Sequence, residues 1–415
     1  MTLPPSERFD IIIGGGGFAG LALARALAAS VGAGFRVAVI EQAPRRGSGS
    51  SRSDGRAVAI SAASKKLLDA IGVWPRLAQD AQPIRHIDIT DSGLDAAVRL
   101  PVLGYENVLD GDLAASFMVE NAVLRAALEA TIAGTPEVTV MQPHTIRAMT
   151  AGEASIEVRL DDGRALRAPL LIAADGRRSG LREMARIKSV SWSYPQIAIT
   201  VIVGHELPHE ARATQHFLPA GPFAILPLTG NRCCITWTEG AGAGRAIMAL
   251  DDANFLAQVE QRFGHQLGRL ALLSPRASWP LEMSLARTFR ARRLALIGDA
   301  ARSVHPIAGQ GLNLAMRDVA ALSEVVAEAA RLGLDIGGGE VLERYERWRR
   351  FDGLVSAAAF DGLNRLFSND SALLRSMRDV GLGLVDRLPG LKGLLIKEAA
   401  GLTGQVPRLL KGELA

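Results

Sequence analysis

The feature that most constrains this chain is a glycine pattern set between a strand and a helix. Residues 9–13 (FDIII) read as a short buried strand. Residues 18–29 (FAGLALARALAA) read as a helix, with strong helix formers and no breaker after Gly20. Between them runs Gly15-x-Gly17-x-x-Gly20. In such a pattern the first glycine permits a tight turn, the second lets the backbone approach a pyrophosphate, and the third allows close helix–strand packing. The helix N-terminus then offers unpaired N–H groups and a partial positive charge to phosphates. Residues 36–41 (RVAVIE) read as a second buried strand, which makes a βαβ unit with parallel strands. Glu41 ends that strand 21 residues beyond Gly20, where an acidic residue takes ribose hydroxyls. The competing reading is a glycine-rich turn in some other α/β protein. The strand, the helix and Glu41 together favour a dinucleotide, and the carboxylate disfavours a 2′-phosphate, so FAD or NAD is expected there rather than NADP.

The rest of the chain divides by texture. Residues 117–134 read as a helix, 138–167 as strands with a hairpin turn at Asp162-Gly163, and 168–174 as another buried strand. From about 187 to 283 alternating segments (IAITVIV, FAILPL, CCITWT) predict a sheet, followed by a helix near 251–264. Residues 294–298 return to the buried-strand pattern, and a long helix is expected near 312–331. The expected architecture is α/β (α+β). A Rossmann-type domain (1–186, returning at 286–331) carries an inserted, mostly antiparallel β-sheet substrate domain (187–285), and a helical region (332–415) follows.

At 415 residues, with 48% hydrophobic and 22% charged, the chain is long enough for a sizeable core. No run of about 18 uncharged apolar residues appears, and the first residues do not read as a secretory signal. A cytoplasmic location is the expectation. Its two cysteines, Cys233 and Cys234, are strand neighbours pointing to opposite faces, which disfavours a disulfide between them. The net charge of +4 is spread along the chain, mostly on arginine, without a basic cluster interleaved with aromatics; nucleic acid is not an expected partner. His205-Glu206-Leu207-Pro208-His209 matches a zinc signature by letters, but Pro208 would break the required helix and the preceding residues read as strand, so no metal is assigned.

Three further segments carry more specific chemistry. The first is Asp54-Gly55-Arg56-Ala57-Val58-Ala59-Ile60-Ser61. The second is Ala174-Asp175-Gly176-Arg177-Arg178-Ser179-Gly180-Leu181-Arg182, at the end of a strand. The third runs from Gly298-Asp299 through Arg302, Val304-His305-Pro306 and Gly309-Gln310-Gly311-Leu312-Asn313. Asp299 ends a strand, and Gly309-Gln310-Gly311 leads into a helix whose N-terminal N–H groups can face a negative charge. Together these segments resemble the single-component FAD-dependent aromatic hydroxylases with the para-hydroxybenzoate hydroxylase fold. Phe217-Leu218-Pro219, Asp361-Gly362-Leu363-Asn364 and Ala400-Gly401-Leu402 strengthen the resemblance toward the hydroxylases of ubiquinone biosynthesis, and it runs from about residue 9 to 408. Two departures stand out: the family often has histidine where this chain has Arg302, and small hydroxylated residues where Cys233-Cys234 sit.

The resemblance implies FAD held by Gly15, Gly17, Gly20, Glu41, Arg56, Asn121, Asp175, Gly298, Asp299, Pro306, Gly309, Gln310, Gly311, Leu312 and Asn313. It implies NADH or NADPH as a transient reductant, since no second glycine fingerprint exists, and O2 reacting through a flavin C4a-hydroperoxide. The expected substrate is a polyprenylated phenol, whose ring would lie among Gln215, Phe217, Gly221, Pro222 and Trp237; core packing is the equal alternative for Phe217 and Trp237. His305 and Pro306, in the loop at the flavin edge, are the candidate catalytic residues, with plain loop architecture as the blander account. The basic, leucine-rich tail 372–411 is a candidate for peripheral contact with the inner membrane or with other ubiquinone-biosynthesis proteins; packing back on the body is the alternative. Two other functions fit the same scaffold less well: hydroxylation of a small soluble aromatic or reduction of a prenyl chain, and a non-catalytic flavoprotein that scaffolds a biosynthetic complex.

Overall fold

The computed structural model describes residues 6–44, 54–91, 94, 99, 101–304, 310–350 and 400–415. The glycine loop belongs to a six-stranded sheet whose spatial order is Val138–Met141, Val37–Ile40, Ile11–Gly14, Leu170–Ala173, Leu294–Leu296 and Arg290–Ala291. The first five strands are parallel and the last is antiparallel. Buried on both faces, the parallel strands read as continuous apolar runs: Ile11, Ile12, Ile13, Val37 and Leu170 through Ala173 are inaccessible to solvent. The helices Phe18–Val31 and Gln310–Arg331 pack against each other on one face.

The second large sheet has nine strands, centred on the long strand Ser189–His205. Trp237, Phe223, Phe255, Val259 and Phe263 fill the layer between one of its faces and the helices Ala241–Met248 and Asp252–Phe263. Its other face turns toward the segments that carry Arg56, Asp299 and Gln310. All its pairings are antiparallel except Arg212–Leu218 with His86–Asp91. The sheet is not confined to residues 187–285. It takes in His86–Asp91, Leu103–Glu106 and Arg302–Ser303, so the substrate unit is assembled from three stretches of chain. The alternation of Ile87 and Ile89 with polar neighbours is what suits the first of these to a sheet with one apolar face.

A three-stranded sheet, Ala57–Ser61, Ser116–Glu120 and Gln82–Ile84, lies beside it. The helix read over 117–134 is therefore shorter, Asn121–Ala133. Residues 116–120 are pulled into strand pairing by Ala57–Ser61, five paired positions against a helix start with no side-chain cap. At the far end of the chain, Leu409 and Leu410 are buried and the Arg408 N–H donates to Glu324 at 2.7 Å, so residues 400–415 pack on the body. The segment 372–399 lies outside the described residues. Among the described residues no helix is long and apolar enough to cross a membrane. His205 ends a strand and His209 lies in the turn after it, each ring bonded to a backbone carbonyl, so the pair is not set one helical turn apart.

Candidate functional site

The glycine loop is built by close backbone approach. Gly15 sits at φ +113°, and a Cβ there would overlap the Ala174 carbonyl and reach the Asp175 nitrogen at 2.8 Å. A Cβ on Gly20 would overlap the Gly15 carbonyl oxygen. Gly17, the residue before the helix, has open space where its Cβ would be, and φ −74° with ψ −177°. The helix begins with no side chain capping its N–H groups. Those groups are thus free for an anion. Glu41 closes the loop: one carboxylate oxygen accepts the Gly16 N–H at 2.6 Å and the other the Ala43 N–H at 2.7 Å. Sequence reasoning passed over Arg125, whose guanidinium stacks on Phe18 and reaches the Gly16 carbonyl at 3.5 Å.

The Asp175 segment meets this loop across the sheet. Its carboxylate accepts from Ser179 at 2.5 Å and from the Leu181 N–H at 3.1 Å. Arg182, buried, donates to the carbonyls of Ala300 and Arg177. The spaced serine and arginine of this motif therefore shape the loop and tie it to the Gly298–Asp299 loop. A Cβ on Gly298 would touch Ala19 and Ala315 at 3.5 and 3.4 Å, which brings the three separated segments to one place.

Beyond them opens a cavity of about 520 Å³ between the flavin-side segments and the nine-stranded sheet. Arg56, Asn121, Asp299, Gln310, Gly311, Leu312 and Asn313 line one side. Asn121 donates its N–H to the Arg56 carbonyl, which sets these two residues together, and its Oδ1 is buried with no hydrogen-bond partner among the described residues. Such an orphaned acceptor is satisfied by a donor on a bound group. Arg56 itself is held by Asp54 at 2.6 Å. Asp299 presents its carboxylate to the cavity, open to it yet enclosed by protein. Burial pushes its pKa up, opposed by Arg177 and Arg302. Asn313 turns out to be a strut. Its Oδ1 accepts from the Ser61 N–H and Ser64 hydroxyl, and its Nδ2 donates to Ala59.

The facing wall is set by strand register. Ile89, Gln215, Ala224, Thr236 and Thr200 lie side by side across five strands and all line the cavity, with Phe217, Pro222 and Thr238 in the next row. Thr200 donates to the Gly55 carbonyl at 2.9 Å, so the sheet holds the Arg56 segment directly. Tyr105, Ile87 and Met118, from stretches that the sequence placed in the other domain, complete the wall, and burial raises the Tyr105 phenol. Trp237 is a correction. Side chains alternate along a strand, and the neighbours of Thr236 and Thr238 point away. Trp237 is 1% exposed, edge-to-face with Phe223 and under Arg262, in the core of the opposite layer. Gly221 does not line the cavity either. Its missing Cβ leaves room for Thr238, whose methyl would lie 2.6 Å from one, and its φ is +142°. Alternation also separates the cysteines: Cys233 faces His205 at 3.4 Å, Cys234 faces Thr200 at 3.6 Å, and both are free. His305, Pro306 and Gly309 lie outside the described residues.

A cradle for a diphosphate, a carboxylate at ribose distance along the motif, an amide acceptor without a partner among the described residues and an acid lining a mainly apolar cavity fit FAD. The FAD binding domain family matches residues 8–352. The ubiquinone hydroxylase UbiL of Rhodospirillum rubrum is 40% identical over 406 residues, covering 97% of this chain and 92% of that protein. The 3-demethoxyubiquinol 3-hydroxylase of Escherichia coli is 36% identical over 410 residues, covering 97% of this chain and all of that protein (100%). Among solved structures, the p-nitrophenol 4-monooxygenase PnpA from Pseudomonas putida has the same fold, with a TM-score of 0.78 over 96% of this chain and 99% of that one at 18% identity. The chain belongs to the FAD-binding family, as a flavoprotein monooxygenase related to the ubiquinone hydroxylases.

Proposed function

We propose that this protein hydroxylates the aromatic ring of a polyprenylated phenol in ubiquinone biosynthesis, using FAD, NAD(P)H and O2. The observation that carries the reading is the cavity, which runs from the cofactor-side residues Asp299 and Gln310–Asn313 to the apolar sheet wall. Bound FAD supplies the redox chemistry that takes electrons from NAD(P)H and delivers one oxygen atom to the ring. The protein's task is to hold the cofactor, orient the ring and keep water out.

The glycine loop and Glu41 would hold the diphosphate and ribose end, and Asp299 and Asn121 the middle of the cofactor. The N-terminal turn of Gln310–Arg331 would face the ring system. Gln215, Thr236 and Thr238 offer the substrate ring hydrogen bonds on a wall they share with Ile87, Ile89, Met118 and Phe217. Ile87, Ile89, Met118 and Phe217 give a prenylated ring an apolar bed. His305 and Pro306, next to the cavity residue Val304 in the chain, are proposed to sit at the reacting edge. Peripheral membrane contact rests on residues 372–399, since 400–415 dock on the body.

The test is deletion of the gene followed by mass spectrometry of extracted quinone intermediates, with purified protein assayed for NAD(P)H oxidation and O2 uptake. Accumulation of an under-hydroxylated prenyl phenol and substrate-stimulated O2 uptake are expected. A normal quinone profile, with stimulation only by a small soluble phenol, would overturn the prenylated substrate. A yellow protein that never oxidises NAD(P)H would return the scaffold reading.

A further inference from the structure

A charge cluster lies buried beneath the Gly298–Asp299 loop. Asp318, on the helix Gln310–Arg331, is fully buried. Its Oδ1 accepts from Arg302 Nη2 at 2.8 Å and from Arg349 Nε at 2.9 Å, while Oδ2 accepts the Gly298 N–H at 3.0 Å. Both guanidinium groups are as buried as the carboxylate, where an unpaired charge would be costly. Arg302 rests against the Phe289 ring, and its Nε and Nη1 have no hydrogen-bond partner among the described residues. Arg302 Nη2 also donates to the Leu314 carbonyl at 3.1 Å. One side chain thus joins the chain before residues 305–309 to the chain after them. The helical residues 339–350 brace the same loop a second time, through Tyr345 donating to Leu296 at 2.8 Å.

We propose that Arg302, locked by Asp318 and Arg349, is a positioning residue for the bound flavin. It pins both ends of the segment 305–309 and sets a buried positive charge under the Gly298–Asp299 loop. The inference rests on the FAD reading above. Pinning fixes the spacing between Asp299 and the turn Gln310–Asn313, on which affinity depends. The charge favours the electron-rich reduced cofactor over the oxidised one and so raises its midpoint potential. The opposing effects of Arg302 and Asp318 on Asp299 fit a cluster whose field reaches that loop.

The test measures the midpoint potential of bound flavin by dye equilibration, and the FAD dissociation constant by fluorescence quenching, in wild type, Arg302→Met and Arg302→Lys. Arg302→Met should shift the potential to more negative values and weaken FAD by about tenfold or more. Arg302→Lys should restore the potential while leaving FAD weakened, because lysine keeps the charge and loses the paired geometry. A folded Arg302→Met protein with wild-type potential and affinity overturns the proposal. If Arg302→Met does not fold, unchanged FAD affinity in Arg302→Lys overturns it. Wild-type protein that takes up no flavin would instead sink the functional reading itself.

Discussion

Gly17 and Gly20 stand three residues apart in one motif, yet the structure gives them opposite vulnerabilities. At Gly20 an added methyl group meets backbone, overlapping the Gly15 carbonyl oxygen and lying 3.2 Å from its carbon. A peptide group at a tight turn cannot swing aside as a side chain can. The helix Phe18–Val31 must back away from the strand, and overpacking of this kind costs about 1–3 kcal/mol before the gain of up to about 1 kcal/mol from alanine in a helix. At Gly17 nothing lies within 4 Å of the new methyl, and the backbone angles are ones alanine adopts freely. That empty space is where a diphosphate would pass. Gly20→Ala should therefore destabilise the cofactor-free protein by about 1–2 kcal/mol, a drop of a few degrees in Tm. Gly17→Ala should leave the stability of the cofactor-free protein within about 1 kcal/mol of wild type and weaken FAD by roughly 10- to 100-fold. Thermal unfolding by circular dichroism and flavin fluorescence quenching read the two effects separately. If Gly17→Ala binds FAD as wild type does, the diphosphate does not cross this loop; if Gly20→Ala melts where wild type does, the packing account of the third glycine is wrong.

The acid at the cavity gives a pH dependence of known sign. With its pKa raised by burial, Asp299 takes up a proton above the ordinary aspartate range of about 4, so FAD affinity should fall as pH is lowered through that point, and Asp299→Asn should flatten the profile in a binding titration. His216, bonded through Nδ1 to Thr90 at 2.7 Å, is lowered to about 4 by burial and by Arg99. Between pH 6.5 and 4 the unfolded chain binds a proton that the folded one refuses. Stability should fall by roughly 3 kcal/mol over that window, and urea unfolding at pH 7 and 4.5 should show a smaller loss in His216→Gln. Phe217→Ala should raise KM for the aromatic substrate with the FAD dissociation constant unchanged. Trp237→Ala should instead cost about 3–5 kcal/mol of stability and leave KM alone if it folds; the reverse pattern would refute the assignment of the two faces.

The cofactor half of the site was open to reading because its chemistry is local. Gly15-x-Gly17-x-x-Gly20, Glu41 and the Asp175 segment each stand at the end of a strand or the start of a helix that periodicity identifies, although the contacts that fix Gly15 and Gly298, with Ala174 and with Ala19 and Ala315, come from distant stretches. Arg182 stood out as part of its motif, but its role did not, because the Ala300 carbonyl it holds is more than a hundred residues away; the role of Asp318 likewise depends on Arg349, on another helical stretch. The substrate wall was legible only in part. Alternation could say that Phe217 and Trp237 face opposite ways only once the register was known, since one residue of slip exchanges the faces. The short strands His86–Asp91 and Leu103–Glu106 left a weak signal, three or four alternating positions separated by eleven residues. Their membership in a distant sheet is a fact of long-range pairing.

That pairing has a consequence for how the molecule is made. The strand Arg212–Leu218 has its outer edge covered by residues 86–91, synthesised more than a hundred residues earlier, and the opposite margin, at Ser284–Leu285, is covered by Arg302–Ser303. A fragment limited to residues 187–285 would bare both margins to other chains and should self-associate rather than fold. On the ribosome the same sheet stays unfinished until residue 303 has emerged, so the catalytic chamber closes late, after the amino-terminal segments have waited for their partners.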